Sequence, residues 1–357
     1  MDNRIYKSTF FIYRLIKNNY YLINMLPNIV DYPFLIRIFN KIFTDQDKIK
    51  IISLNKYLNN KKTKFTYDKQ IKIDEYFKNL WYYDRLTNIS VDEGFKFPRF
   101  VTHLTIRPWL DGTFTFYEGC IPNSITHLKF DEDFNQPVFN YIPNSVTHLM
   151  FMFGFNQDIK KSIPNSVTNL TFIGHFNQNI EGCIPSSVTH LTLSCHFDQP
   201  LNNIPNSVTH LKLSFYLYRK CIPNSVTHLE LERGNYEDLI PNSVTHLKIL
   251  PDENQNLKNC IPNSVKILDL GIVFNNDIEN VIPDSVEYLE LGDIFNKSIG
   301  NLKNVIHLKF NVKNSNKFSE FPLSLRYLYA SEKFIKINKE TIPHKVKIII
   351  INKKIQL

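Results

Sequence analysis

Glycine is scarce. The ten glycines in 357 residues are scattered, and none forms the Gly-rich loop that cradles a phosphate. Cysteine occurs five times, an odd number with no CxxC pair, so the chain carries neither a disulfide framework nor a zinc site of closely spaced thiols. No apolar run approaches the roughly 18 to 20 residues that a membrane-spanning helix needs. Residues 8–16 come nearest to a signal-peptide core, but they contain Arg14, are flanked by Lys7 and Lys17, and lead into no small-residue cleavage site. These absences point to a reducing, intracellular, cytoplasmic setting, with no membrane and no cofactor or metal expected. A basic nucleic-acid-binding stripe is missing too. Of the 42 Lys and Arg, 17 fall in residues 1–96 with 10 of the 34 Asp and Glu, leaving 25 against 24 in the rest of the chain.

What the chain has in abundance is a repeat. Ile142-Pro143-Asn144-Ser145-Val146-Thr147-His148-Leu149 returns at Ile121, Ile163, Ile184, Ile204, Ile222, Ile240, Ile261 and Ile282, with spacings of 21, 20 or 18 residues. Weaker copies start at Phe97, Phe321 and Ile342, and one without proline lies around Asn301, which makes thirteen units over residues 97–351. Within each unit Leu-x-Leu has the period-two spacing of a strand with one buried face. Proline marks the corner before the strand, since it cannot donate to a ladder, and Asn-Ser after it is turn chemistry. A unit of about twenty residues cannot bury its own apolar face, so units must stack and set their strands in one parallel sheet. The Phe of Phe-Asn-Gln (Phe134, Phe155, Phe176, Phe197, Phe274, Phe295) would fill the core from the opposite wall. Few or no helices are expected beyond residue 97. The 18-residue units at Ile204 and Ile222 lack Phe-Asn-Gln and should have a shorter far wall.

The spacing Val-x-x-Leu-x-Leu is similar to the leucine-rich-repeat pattern, and the whole unit resembles the FNIP repeat, named for its Phe-Asn and Ile-Pro pairs. This resemblance covers residues 97–351. It implies a leucine-rich-repeat-like solenoid of the kind found in social amoebae and in giant DNA viruses that infect amoebae, where the compartment would be the host cell. The Asn of Phe-Asn-Gln lies two positions later than the ladder Asn of an ordinary leucine-rich repeat, so that ladder is not carried over to Asn135 or Asn156.

Ahead of the repeats, Met25 stands directly before Leu26-Pro27, and residues 1–24 read as an appendage. Residues 25–65 carry apolar residues at helical spacing (Leu35, Ile36, Ile38, Phe39, Ile42, Phe43), then Asp45-Gln46-Asp47 as a cap for a second helix. This order is similar to an F-box, the helical domain that docks on the Skp-type adaptor of cullin-based ubiquitin ligases. The resemblance gives Leu26, Pro27, Ile38 and Phe39 to the adaptor-facing surface or the packing beneath it. A helical cap over the first repeat is the other reading of the same segment. Residues 66–96 read as a linker or cap and 352–357 as a tail. The fold expected is therefore α+β overall: a small helical N-terminal domain, then a solenoid with a parallel sheet of about thirteen short strands.

Two columns of side chains should face outward from that sheet. His103, His127, His148, His190, His210, His228, His246 and His307 occupy one repeat position, where stacked strands set neighbours about 4.8 Å apart. Such a ladder could serve as a metal rail or proton sensor, or could simply stack, since a line of imidazoles with few carboxylates is a poor metal site. The next outward position varies: Lys129, Met150, Thr171, Thr192, Lys212, Glu230, Lys248, Asp269 and Glu290. It is the candidate strip for a protein partner, or else an ordinary solvated surface. Nothing points to catalysis, because Ser145 and its equivalents recur in unit after unit where a nucleophile would be unique.

Overall fold

The computed structural model describes residues 101–107, 119–214, 222–232, 234, 236–251 and 255–351, together with two backbone strands at 71–73 and 88–91. The chain divides into two compact units, Met1–Asp131 and Glu132–Leu357. The expected N-terminal helical domain at 25–65 lies outside the described residues.

Seven of the repeats enter their strands through the same corner. A left-handed residue stands two positions before the Ile of Ile-Pro, at Gly119, Asn140, Lys161, Gly182, Asp238, Asn259 and Asn280, with φ between 55° and 72°. Glycine, asparagine and aspartate tolerate this region best, and five of the seven corners use Gly or Asn. The Pro carbonyl then accepts from the Val three residues on, as from Val146 to Pro143 at 3.1 Å, which closes a turn over Asn-Ser. In six units the serine hydroxyl donates to the Val carbonyl of the preceding unit, as from Ser166 to Val146 at 2.7 Å and from Ser187 to Val167 at 2.8 Å, whereas the hydroxyls of Ser124, Ser207 and Ser225 find no partner. These serines are therefore structural rungs.

In the first unit, strands β1 (Ile71–Ile73), β2 (Asn88–Val91), β3 (His103–Ile106) and β4 (His127–Phe130) pair in parallel and in order. The first two fall in the span read from sequence as a linker or cap. Neither has an Ile-Pro corner ahead of it, which is why the repeat signal passed them over. In the second unit eleven strands follow the Leu-x-Leu pairs: β5 (His148–Phe151), β6 (Asn169–Phe172), β7 (His190–Leu193), β8 (His210–Leu213), β9 (His228–Leu231), β10 (His246–Ile249), β11 (Ile267–Asp269), β12 (Tyr288–Leu291), β13 (His307–Phe310), β14 (Tyr327–Ala330) and β15 (Lys347–Ile350). Each pairs in parallel with its sequence neighbour. The leucines fall in register across β5 to β14, from Leu149 opposite Leu170 through to Leu308 opposite Leu328. The thirteen strands expected from residue 97 onward are present at their expected places.

The core is two walls of apolar side chains. Val146, Leu149 and Phe151 come from the strand side, and Phe155 and Ile159 from the far side, all at most 1% exposed. Phe134, Phe155, Phe176 and Phe197 stack at 6.0–6.2 Å up the far wall. Regular helix is limited to a short 3-10 turn at Leu201–Asn203 and α1 (Glu332–Asn338) among the described residues. Helix α1 takes the far-wall place of Phe-Asn-Gln in its unit. Ser331 caps it by accepting from Phe334 N, and Phe334 supplies the buried ring, 4.4 Å from Phe310.

A second ladder, which the sequence reading declined to assign, runs up the far wall. Asn135 Oδ1 accepts from Asn156 N at 2.9 Å, Asn156 Oδ1 from Asn177 N at 2.9 Å, and Asn177 Oδ1 from Asp198 N at 2.7 Å. The glutamine beside each asparagine reaches back to the same oxygen, as Gln178 Nε2 does to Asn156 Oδ1 at 2.9 Å. The two-residue offset from an ordinary leucine-rich repeat moves the asparagine from the core to the rim of the wall, where it ties one unit's side chain to the next unit's backbone. Asn156→Ala removes an acceptor from Asn177 N and Gln178 Nε2, and should cost about 1–2 kcal/mol. Faster hydrogen exchange at the Asn177 amide would report it, and unchanged exchange there would refute the ladder's role.

Candidate functional site

The outward face of the sheet is built by alternation. In the strands β4 to β10 the first and third residues face out and the second and fourth are buried. Within each unit the expected columns therefore face outward, although Thr105, the third residue of β3, is only 6% exposed.

Imidazole rings stack along the first column. His103 and His127 lie 4.1 Å apart in the first unit, and His190, His210, His228 and His246 follow one another at 4.0, 4.0 and 3.9 Å in the second. These separations are shorter than the ~4.8 Å between strands, so the rings are in van der Waals contact. Each ring is hooked by the Thr that precedes it, with Thr Oγ1 2.9 Å from Nδ1 at His127, His148, His190, His210, His228 and His246. The run of four ends at Asn169 on one side and Ile267 on the other. His307 is separated from it and stacks on Tyr327 at 4.5 Å. Tyr288, in the same column, has its phenol pushed up to about 12 by burial and by Glu290, Tyr329 and Asp269 nearby. Burial pushes His210 and His228 below their ordinary 6.5, and neighbouring imidazoles push the same way. No grouping of three or more His, Cys, Asp or Glu among the described residues has metal-binding geometry.

Along the second column the charged members pair with one another. Lys212 Nζ lies 2.8 Å from Glu230 and 3.0 Å from Glu232, Lys248 lies 3.5 Å from Glu230, and Lys309 lies 2.9 Å from Glu290. Lys129 pairs with Asp131 at 3.2 Å in the first unit. Asp269 Oδ1 accepts from Gly271 N at 2.8 Å; burial raises its carboxyl above the ordinary 3.8 despite that bond. Met150, Thr171 and Thr192 make an uncharged stretch. Over β7–β11 the two columns line an open groove of about 380 Å³.

The adaptor-facing residues Leu26, Pro27, Ile38 and Phe39 lie outside the described residues. Cys120, Cys183 and Cys260, each one place before an Ile-Pro, are buried, while Cys195 is exposed. Cys195 and its neighbourhood were not among the expected site residues: His175 and His196 lie 4.4 Å apart, and His196 Nδ1 is 3.2 Å from Cys195 Sγ. Their 21-residue spacing, one place before the far-wall Phe, was the available signal. The unit that lost its proline at Leu302 opens a polar hollow of about 390 Å³, bordered by Asp277, Glu279 and the Asp284–Lys303 pair at 3.0 Å.

A family model described as FNIP Repeat matches residues 116–153, 155–196, 176–216, 197–234 and 254–294. Among solved structures, the chain is similar to CroV588, described as a novel circular LRR protein, with 36% identity and a TM-score of 0.54 over 75% of this chain. The similarity covers 43% of that protein, so the chain spans less than half of its length. No curated protein matches. No helix among the described residues is long and apolar enough to cross a membrane.

Proposed function

Because the chain is an FNIP-repeat protein with a leucine-rich-repeat-like solenoid, we propose that it acts by binding a protein on the exposed face of its sheet, without catalysing a reaction of its own. The observation behind this reading is a contrast between columns. The buried leucines, the Ser and Thr rungs and most of the imidazoles repeat from unit to unit, while the third strand position runs Met150, Thr171, Thr192, Lys212, Glu230, Lys248, Asp269, Glu290. Every other column serves the stack, and this one is free to carry a particular surface.

A photo-crosslinking residue placed at Thr171 or Thr192, each in the full chain, should capture a protein in cell extract. The same residue on the far wall, at Asp158, should not. Capture from the far wall alone would move the binding surface off the sheet.

The finer reading makes the chain a substrate-recruiting subunit of a cullin-based ubiquitin ligase in the cytoplasm. In it residues 25–65 hold a Skp-type adaptor through Leu26, Pro27, Ile38 and Phe39, and the solenoid holds the protein to be modified. Its support is the order of residues in that segment. Native co-precipitation of adaptor and cullin, lost on joint replacement of Leu26 and Pro27 by alanine, is the expected result. Absence of adaptor from the wild-type precipitate would leave a scaffold or assembly role for the solenoid.

A further inference from the structure

The imidazoles of His190, His210, His228 and His246 share one hydrogen-bonding state, which their threonines dictate. Thr209 O, for example, already accepts from Thr227 N and His228 N, both at 3.0 Å, and so uses both lone pairs. The Thr227 hydroxyl has one proton and two candidate acceptors, His228 Nδ1 at 2.9 Å and the saturated Thr209 carbonyl at 3.4 Å. The shorter contact and the unused lone pair assign the proton to Nδ1. A neutral imidazole that accepts at Nδ1 carries its own proton on Nε2. None of these four Nε2 atoms has a hydrogen-bond partner among the described residues. The groove therefore presents a row of N–H donors at steps of 3.9–4.0 Å.

Fixed charge in the groove cancels. Lys212 of β8 and Lys248 of β10 face Glu230 of β9 and Asp269 of β11, while Thr192 of β7 and Ile267 of β11 carry none. Glu232 sits just beyond, and although burial opposes it, hydrogen bonds from Lys212 and Ser214 keep its carboxyl below the ordinary range. With the lining's fixed charges balanced and Glu232 adding one carboxylate at its edge, protons taken up by the histidines decide the sign of the face. Acidification adds positive charge along the column, and Asp269, raised by burial, gives up negative charge before an ordinary aspartate would. Both changes turn a neutral groove cationic. A ligand for a line of such donors needs acceptors repeated along a chain, which the carbonyls and carboxylates of an extended peptide supply.

We propose that this groove docks an acidic peptide segment of a partner protein, whose carboxylates are received by the imidazole row as it takes up protons. The proposal rests on the sheet face being the partner surface.

The test uses the full chain and a fluorescent octaglutamate peptide, with anisotropy read near pH 5.5 and near pH 7.5. One proton taken up per complex changes Kd about tenfold per pH unit in the titrating range. Octaglutamate should bind at the lower pH and raise the melting temperature there, while octalysine should not bind. The double variant His210→Asn/His228→Asn should lose most of the pH dependence. It should also keep the fold, because the chain itself uses Asn169 in this column, with the Thr168 hydroxyl donating to its Oδ1 at 2.8 Å. Equal binding of octalysine, no octaglutamate binding at either pH, or an unchanged pH dependence in the variant would overturn the proposal. If octaglutamate fails while crosslinks from Thr171 or Thr192 still capture a protein, acidic recognition falls and the docking face stands. If capture comes only from the far wall, both fall.

Discussion

Phe155→Ala should destabilise the protein by about 3–5 kcal/mol, the range for removing a buried aromatic ring from a packed core. Phe155 is fully buried and stands where the two walls meet. It lies 4.0 Å from Phe151 on the strand side and 6.2 and 6.1 Å from Phe134 and Phe176 along its own wall. Its removal opens a hole that the stack cannot close, because the neighbouring units are held at strand spacing by the ladder and cannot approach each other. Phe153, two residues earlier, is 47% exposed and provides the comparison. Its alanine variant should lose far less. In a stack of repeats the damage should also be local, with hydrogen exchange accelerating first at β5 and β6 and reaching β12 only on global unfolding. Urea midpoints that coincide for Phe155→Ala and Phe153→Ala would show that the far wall contributes little to the core.

The ease with which the strands could be read has a plain cause. Nine near-verbatim copies of Ile-Pro-Asn-Ser-Val repeat both the corner and the strand phase, so Leu149, Leu170 and Leu191 could be placed in register without coordinates. Where a unit lacks that corner the reading weakens. Residues 71–73 and 88–91 join the parallel sheet of the first unit with only Ile-Lys-Ile and Asn-Ile-Ser-Val to mark them. The seven-residue helix α1 is too short for a periodic signal, although Ser331 followed by Glu332 is a readable cap. The asparagine ladder was missed for a different reason. Comparison with the ordinary leucine-rich repeat asks whether Asn sits at the right offset, whereas the physical question is whether its oxygen can reach the next unit's amide, and at Asn135, Asn156 and Asn177 it does. At the site both columns were legible, since alternation settles which residues face out. Pairing across the strip was not: Lys212 meets Glu230 and Glu232 because β8 pairs with β9 in register, and side-chain reach across strands leaves no mark in a single sequence.

Acid should weaken the fold through the imidazole run. His210 and His228 each have a stacked ring on both sides, at 3.9–4.0 Å. Two unit charges about 4 Å apart repel by about 1 kcal/mol even in bulk water. Burial comes first among the causes that push both residues below 6.5, and the neighbouring imidazoles add to it. A histidine whose folded value is depressed binds fewer protons in the native state than in the unfolded chain. Stability therefore rises with pH: the contribution is fully present above 6.5 and is lost as pH falls through 6.5 toward the lower folded values. Tyr288, held neutral with its phenol near 12, takes no part in this range. Charging the run brings up to three adjacent repulsions, roughly 3 kcal/mol in all, equivalent to a fall in melting temperature of about 5 °C or more between pH 7.5 and pH 5. Replacing His210 and His228 together by asparagine separates His190 from His246 and removes every close contact in the run, so the fall should shrink to a small fraction. An undiminished fall in the double variant would place the acid-sensitive groups elsewhere, with Asp269 excluded because its raised carboxyl gains, rather than loses, stability as it is protonated.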